Sequence, residues 1–211
     1  MMNGTSNRID LVRPDSPELA VAGTHSIGVR MLNFTRPSLT FSTDDNTPFS
    51  QDRALPVELC YSSDHGSDKL GIYHTILRDG TTPVTLFGCA QRDADFKQGP
   101  FPLVLLSHGF PGNRFLLSHF AENLATKGYI VASVDHADST YPEEISFEST
   151  RLNRPLDQKF VVDQLTGPDS PIAGIVDDQQ VGVVGYSMGG YGALSYAGAG
   201  LTEAGIAHDD R

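Results

Sequence analysis

Gly185-Tyr186-Ser187-Met188-Gly189 is the stretch of this sequence best suited to chemistry. A β-branched run at 181–184 precedes it, and a helix-compatible segment at 191–199 follows. A serine between two glycines in that setting has the form of a strand-turn-helix that exposes a nucleophile. The glycines let the backbone turn sharply beside a strained serine. The turn pushes the Ser187 hydroxyl out at the carboxyl end of the strand and aims the helix N-terminus at the reacting centre. Ser187 is therefore read as a nucleophile for ester carbonyls.

Attack on a carbonyl builds negative charge on its oxygen, and each preorganised donor placed there is worth about 3–4 kcal/mol. The Met188 amide, directly after the nucleophile, is the first candidate. The second falls in Ser107-His108-Gly109-Phe110-Pro111-Gly112-Asn113, a turn that follows the apolar run 102–106. Gly109 permits a close backbone approach, which makes the Phe110 amide the second donor. His108 is read as a brace for this loop or, with Gly109, as a substrate contact. His136, beside Asp135 at the end of a later apolar run, is read as a loop brace, a cleft-lining residue or, as a departure, a general base. Asn113 and Arg114 read as a helix cap and a solvated side chain.

These groups need elements to hold them. Residues 26–34 (SIGVRMLNF) and 54–61 (ALPVELCY) read as two strands, plausibly antiparallel. Residues 62–100 form a long Gly- and Asp-rich stretch with one short strand expected at 83–87. The run 102–106 (PLVLL) has the continuous apolar character of a parallel strand buried on both faces. Helical spacing follows at 114–127, with Gly128 as its stop. Residues 129–134 (YIVASV) make the next strand, 156–165 a helix, 168–180 a connection and 181–184 the strand before Ser187. Alternation of strand and helix from 102 onward implies right-handed crossovers and a parallel sheet. Function then belongs outside the carboxyl ends of those strands, where 107–113, 135–141 and 185–190 converge.

Composition bounds the rest. The 211 residues suit one α/β domain over 25–211, with 1–24 as a loose lead-in. A net charge of −11 excludes a general binder of nucleic acid or anionic membranes. No apolar run approaches the ~20 residues that span a bilayer, and the polar N-terminus lacks a secretory core, so cytoplasmic residence is the default. Cys60 and Cys89, 29 residues apart, form neither a zinc motif nor a disulfide scaffold. The seven histidines show no metal-ligand spacing. Neither metal nor cofactor is expected, and the expected partner is a small-molecule ester.

SHGFPGNRFLLSHFAENLATKGYIVASVDHADST together with VGVVGYSMGGYGAL resembles the α/β-hydrolase superfamily, within it the dienelactone-hydrolase-like and platelet-activating-factor-acetylhydrolase-like branch. The resemblance is dense over residues 100–200. It implies a mostly parallel sheet with flanking helices, Ser187 as nucleophile, and the Phe110 and Met188 amides as the oxyanion hole. True dienelactone hydrolases carry cysteine at the elbow, so serine here points to a carboxylic-ester hydrolase.

That superfamily orders its triad as serine, acid, histidine, with the acid after a sixth strand and the histidine after an eighth. Past Ser187 the chain runs only 24 residues and ends in GLTEAGIAHDDR. His208 precedes Asp209 and Asp210, the reverse of the expected order, and all three read as a solvated terminus. The expectation is an α/β-hydrolase domain lacking its last strands, with the base supplied from outside. The alternative is an inactive, truncated hydrolase that serves as a binding module. Acyl transfer or amide hydrolysis on the same scaffold is a third possibility.

Overall fold

The computed structural model describes residues 7–37, 41–42, 48–49, 52–64, 71–143 and 147–199. A 3-10 turn at Glu18–Ala20 precedes strand β1 (Ser26–Arg36). Two short strands, β2 (Phe41–Ser42) and β3 (Pro48–Phe49), pair with each other before β4 (Arg53–Ser63). Next come β5 (Gly71–Ile76), β6 (Pro83–Gly88), β7 (Gln91–Arg92) and β8 (Phe101–Ser107). Helix α1 (Ser118–Ala125), β9 (Ile130–Val134), α2 (Phe147–Thr166), β10 (Val176–Gly185) and α3 (Met188–Tyr196) complete the order.

A six-stranded sheet in the order β10-β8-β9-β4-β1-β7 forms the centre. Strand β8 lies parallel to both β9 and β10, while β4 runs antiparallel to β9 and to β1. The chain leaves β8 to one side through α1 and returns to the other side through α2. That reversal opens a crevice beyond the carboxyl ends of β8 and β10. The architecture is that of an α/β hydrolase: a mostly parallel central sheet with flanking helices.

Both faces of the sheet are covered, which explains why β8 and β9 are apolar along their whole length. On one face Leu103, Leu105, Ile130, Ala132 and Val134 pack with Val161, Val162 and Leu165 of α2. On the other, Cys60, Leu106 and Val131 pack with Ala121 and Ala125 of α1. Gly128 ends the α1 segment with φ +89, a left-handed stop that glycine adopts without a Cβ penalty.

Four elements differ from the sequence expectation. Helix α1 begins at Ser118, because 113–117 first make turns closed by Leu116 N–H to Asn113 O and Ser118 N–H to Phe115 O. Helix α2 starts at Phe147 and runs through Pro155 rather than beginning at 156. Strand β10 begins at Val176, inside the stretch read as connection. The 62–100 stretch holds the hairpin β5–β6, in which β6 is the strand expected at 83–87 and β5 is additional. Its turn is organised by Asp79, which accepts from the Thr81 and Thr82 N–H groups, with Gly80 at φ +73.

Residues 19–23 are tied to the end of α1 and the turn after it. Gly23 N–H donates to Thr126 Oγ1 at 2.7 Å, Lys127 Nζ to Leu19 O at 2.9 Å, and Asn123 Nδ2 to Ala20 O at 2.8 Å. Among the described residues no helix is long and apolar enough to cross a membrane.

Candidate active site

Ser187 sits between β10 and α3 with φ 54 and ψ −118, a backbone conformation that costs a non-glycine residue about 1–3 kcal/mol. The surrounding glycines make the turn possible. A Cβ on Gly185 would lie 2.1 Å from the Gly189 carbonyl carbon, and one on Gly189 would lie 2.1 Å from Ser107 O. Tyr186 N–H donates to the same Ser107 carbonyl at 3.0 Å, locking the elbow onto the end of β8. Ser187 is exposed.

The first amides of α3 are not equivalent. Gly189 N–H donates to Tyr186 O, and the Gly190 and Tyr191 N–H groups donate to Ser187 O. Among the described residues the Met188 N–H has no backbone acceptor, as befits a first-turn orphan donor. The loop after β8 comes up against the elbow: a Cβ on Gly109 would stand 3.4 Å from Ser187 Cβ and 3.2 Å from Tyr186 Cδ1. Among the described residues the Phe110 N–H likewise has no hydrogen-bond acceptor. Two uncommitted donors thus flank an exposed serine.

Behind this loop lies a buried polar network. His136 backbone N–H donates to His108 Nε2 at 3.2 Å, so His108 carries its proton on Nδ1 and donates it to Gly109 O at 2.7 Å. Burial, then His136 and Arg154, keep the His108 pKa well below the usual imidazole value. His136 Nδ1 faces Asp157 Oδ2 at 3.2 Å, and its Nε2 meets Ser107 Oγ at 2.8 Å. Burial lowers the His136 pKa to about 4, leaving a neutral ring that donates to Asp157 and accepts from Ser107.

Ser107, His136 and Asp157 therefore have the connectivity of a catalytic triad, but each is completely buried. No acyl group reaches a serine without exposed surface. The relay instead fastens the ends of β8 and β9 to α2. With both ring nitrogens occupied, His136 is in no position to take the Ser187 proton, and neither it nor His108 opens onto a cleft. Both rings are held by buried partners, as the bracing reading expects, and Gly109 lies beside Ser187. His208, Asp209 and Asp210 lie outside the described residues.

Three residues that sequence reasoning passed over converge on the site from α2. Arg154 Nη1 donates to His108 O at 2.8 Å, and its Nη2 reaches Ser139 Oγ at 2.6 Å and Gly109 O at 3.4 Å. Asp157 accepts from Arg36 Nε at 2.8 Å, Arg53 Nη2 at 2.8 Å and His136. Burial pushes the Asp157 pKa up, but the hydrogen bonds from His136 and Arg53 outweigh it and hold the carboxyl below its usual range. Gln158 Nε2 donates to Gly189 O at 3.0 Å, bracing the elbow. Their spacing of three and four residues puts them on one helix face, and that spacing was the available signal.

Arg114 is not the solvated side chain expected of it. Its guanidinium pairs with Asp135, which also accepts the Arg114 backbone N–H. Asn113 Oδ1 caps the Phe115 N–H at 3.0 Å, and its Nδ2 donates to Thr75 Oγ1. A cavity of about 390 Å³ opens beside them, lined by His74, Thr75 and Glu143 among others, and Ser187 is not in its wall. Among the described residues no cluster of histidine, cysteine or carboxylate side chains has the form of a metal site. Cys60 and Cys89 are free thiols, the first buried and the second exposed.

The fold is that of an α/β hydrolase, with Ser187 at the turn between β10 and α3. The chain belongs to the PET hydrolase-like family, whose model matches residues 94–206, more than half of its length. The solved ferulic acid esterase from Streptomyces cinnamoneus is similar to it, with a TM-score of 0.65 and 26% sequence identity. The match covers 85% of this chain and 57% of that enzyme, so the chain spans less than two thirds of that relative's length.

Proposed function

We propose that this protein hydrolyses carboxylic esters through an acyl-enzyme on Ser187. The observation that carries this reading is the placement of an exposed, strained serine between the free Met188 and Phe110 amides. Family membership and the likeness to an esterase support it.

In the reaction, Ser187 Oγ attacks the ester carbonyl carbon as its proton passes to a general base. The carbonyl oxygen, now negative, accepts from the Phe110 and Met188 N–H groups. Collapse expels the alcohol, which takes the proton from the base and leaves the acyl group on Oγ. Water then attacks the acyl carbon, giving its proton to the same base, and the acid departs with Ser187 restored. Among the described residues no side chain hydrogen-bonds the Ser187 hydroxyl, and both ring nitrogens of His136 are engaged by Ser107 and Asp157.

The acyl group we favour is aromatic. Tyr186 stands 60% exposed beside the nucleophile, and Phe110, next to the loop glycine nearest Ser187, meets Phe147 edge to face at 5.5 Å. The similar enzyme is a ferulic acid esterase, and ferulic acid contains such a ring.

Hydrolysis of p-nitrophenyl butyrate and p-nitrophenyl benzoate by the purified chain and its Ser187→Ala variant tests both parts. Turnover confined to the wild type, faster on benzoate, is the expected result. Equal rates in both proteins, with folding verified, overturn the catalytic role of Ser187 and leave the binding-module alternative.

A further inference from the structure

Arg154 is 1% exposed, yet among the described residues it forms no ion pair. Its acceptors are the His108 and Gly109 carbonyls and the Ser139 hydroxyl. Burial brings its pKa down to about 10, with Asp157 and Asp138 supporting the charge from a distance, so the guanidinium stays cationic at neutral pH. Burying a full charge against neutral acceptors is a costly way to hold a loop, since a neutral amide donor would satisfy the same carbonyls.

The geometry of the Gly109–Phe110 peptide gives that charge a use. The unit is trans and planar, so its C=O and N–H point in opposite directions. Two donors, Arg154 Nη2 and His108 Nδ1, pull the carbonyl oxygen inward. The Phe110 N–H must then face outward on the side where Gly109 approaches Ser187 Cβ. A cation at the carbonyl end also polarises the peptide and strengthens the N–H as a donor. Space for this arrangement comes from Gly192 of α3, where a Cβ would lie 2.6 Å from Arg154 Cγ.

We propose that Arg154 is the positioning residue of the oxyanion hole, orienting and polarising the Gly109–Phe110 peptide so that the Phe110 N–H meets the oxyanion formed at Ser187. This assignment rests on the proposed nucleophilic role of Ser187. Arg154 touches no reacting atom and acts through the peptide it holds. Its effect belongs to the transition state, where the carbonyl oxygen carries charge, and not to ground-state binding.

The test is time-resolved labelling of the full chain by a fluorophosphonate, whose phosphoryl oxygen requires the same hole. Wild type, Ser187→Ala, Arg154→Met and Arg154→Lys are compared, with thermal unfolding followed for each. Labelling of the wild type and none of Ser187→Ala is expected. Arg154→Met should lose about 10²-fold in the maximal labelling rate, comparable to removal of one hole donor, with the half-saturating probe concentration unchanged. Arg154→Lys keeps the charge but not the fork, and should label at a rate between the other two.

A brace without this role would lower the fraction of molecules that label and leave the rate of those that do unchanged. That outcome overturns the assignment while Ser187 keeps its role. If Arg154→Met does not fold, the lysine variant decides alone: a wild-type rate overturns the proposal. Absence of labelling in the folded wild type overturns the nucleophile reading itself, and the Arg154 assignment falls with it.

Discussion

Asp157 shows how much one residue can hold in this molecule. Its two oxygens receive Arg36, Arg53 and His136, which come from β1, β4 and the loop after β9. Each of these partners is largely buried, so loss of the carboxylate charge would leave two guanidinium groups without their main counter-ion. Replacing one partner of a buried ionic cluster typically costs about 3–5 kcal/mol. Asp157→Asn preserves shape and removes the charge. We expect it to destabilise by that amount in urea unfolding, with an unchanged m-value. A loss below about 1 kcal/mol, the scale of an exposed pair, would show that solvent reaches the cluster.

At the scale of elements, the site is a joint between three chain segments: the end of β8, the start of α3 and the polar face of α2. Ser107 O accepts from Tyr186 N–H and stands where a Gly189 side chain would have to go. The blocking atom is main chain, so it does not swing aside as a flexible side chain would. Gly189→Ala is therefore expected to push α3 away from β8 and move Ser187 relative to the Phe110 amide. Its fluorophosphonate labelling rate should fall by at least about 10²-fold, since a shift of about 1 Å carries that penalty. Wild-type labelling in this variant would mean that the elbow is not held by the close β8 contact. The same joint explains why α2 escaped recognition in its first half. Its inward residues there, Thr150, Arg154, Asp157 and Gln158, are polar, and apolar periodicity begins only with Val161, Val162 and Leu165.

Across the whole molecule, buried neutral imidazoles link stability to pH. His136 in the folded protein has its pKa depressed from the usual 6.5 to about 4 by burial, and His108 is depressed in the same direction. Between those values the unfolded chain binds a proton that the folded chain refuses. Stability is therefore full above pH 6.5 and falls as the pH drops toward 4, with His136 alone contributing on the order of 3 kcal/mol. Below that window the depressed Asp157 adds its own loss on protonation. Relief of self-repulsion from the net charge of −11 acts in the opposite sense, chiefly as the surface carboxylates protonate. We expect the urea midpoint at pH 7.5 to exceed that at pH 4.5. Equal midpoints would indicate that the two histidines are solvated.

The sequence by itself determined the parts whose information is local. Gly185, Ser187 and Gly189 announce the elbow because only glycine suits a turn where a Cβ would meet main chain at 2.1 Å. The apolar runs of β8 and β9 announce central strands because both their faces are covered. Tertiary structure alone decided which polar residues are buried against one another and which stay exposed. His136 reads as a brace or cleft lining, or as a departure a base, until the fold surrounds it with Ser107 and Asp157, neither a sequence neighbour. Arg154 carries no mark in the sequence until α2 turns it beneath the Gly109 carbonyl, 45 residues distant in the chain. A polar side chain carries no periodic mark of its destination, because its burial depends on partners that only the folded chain brings within reach.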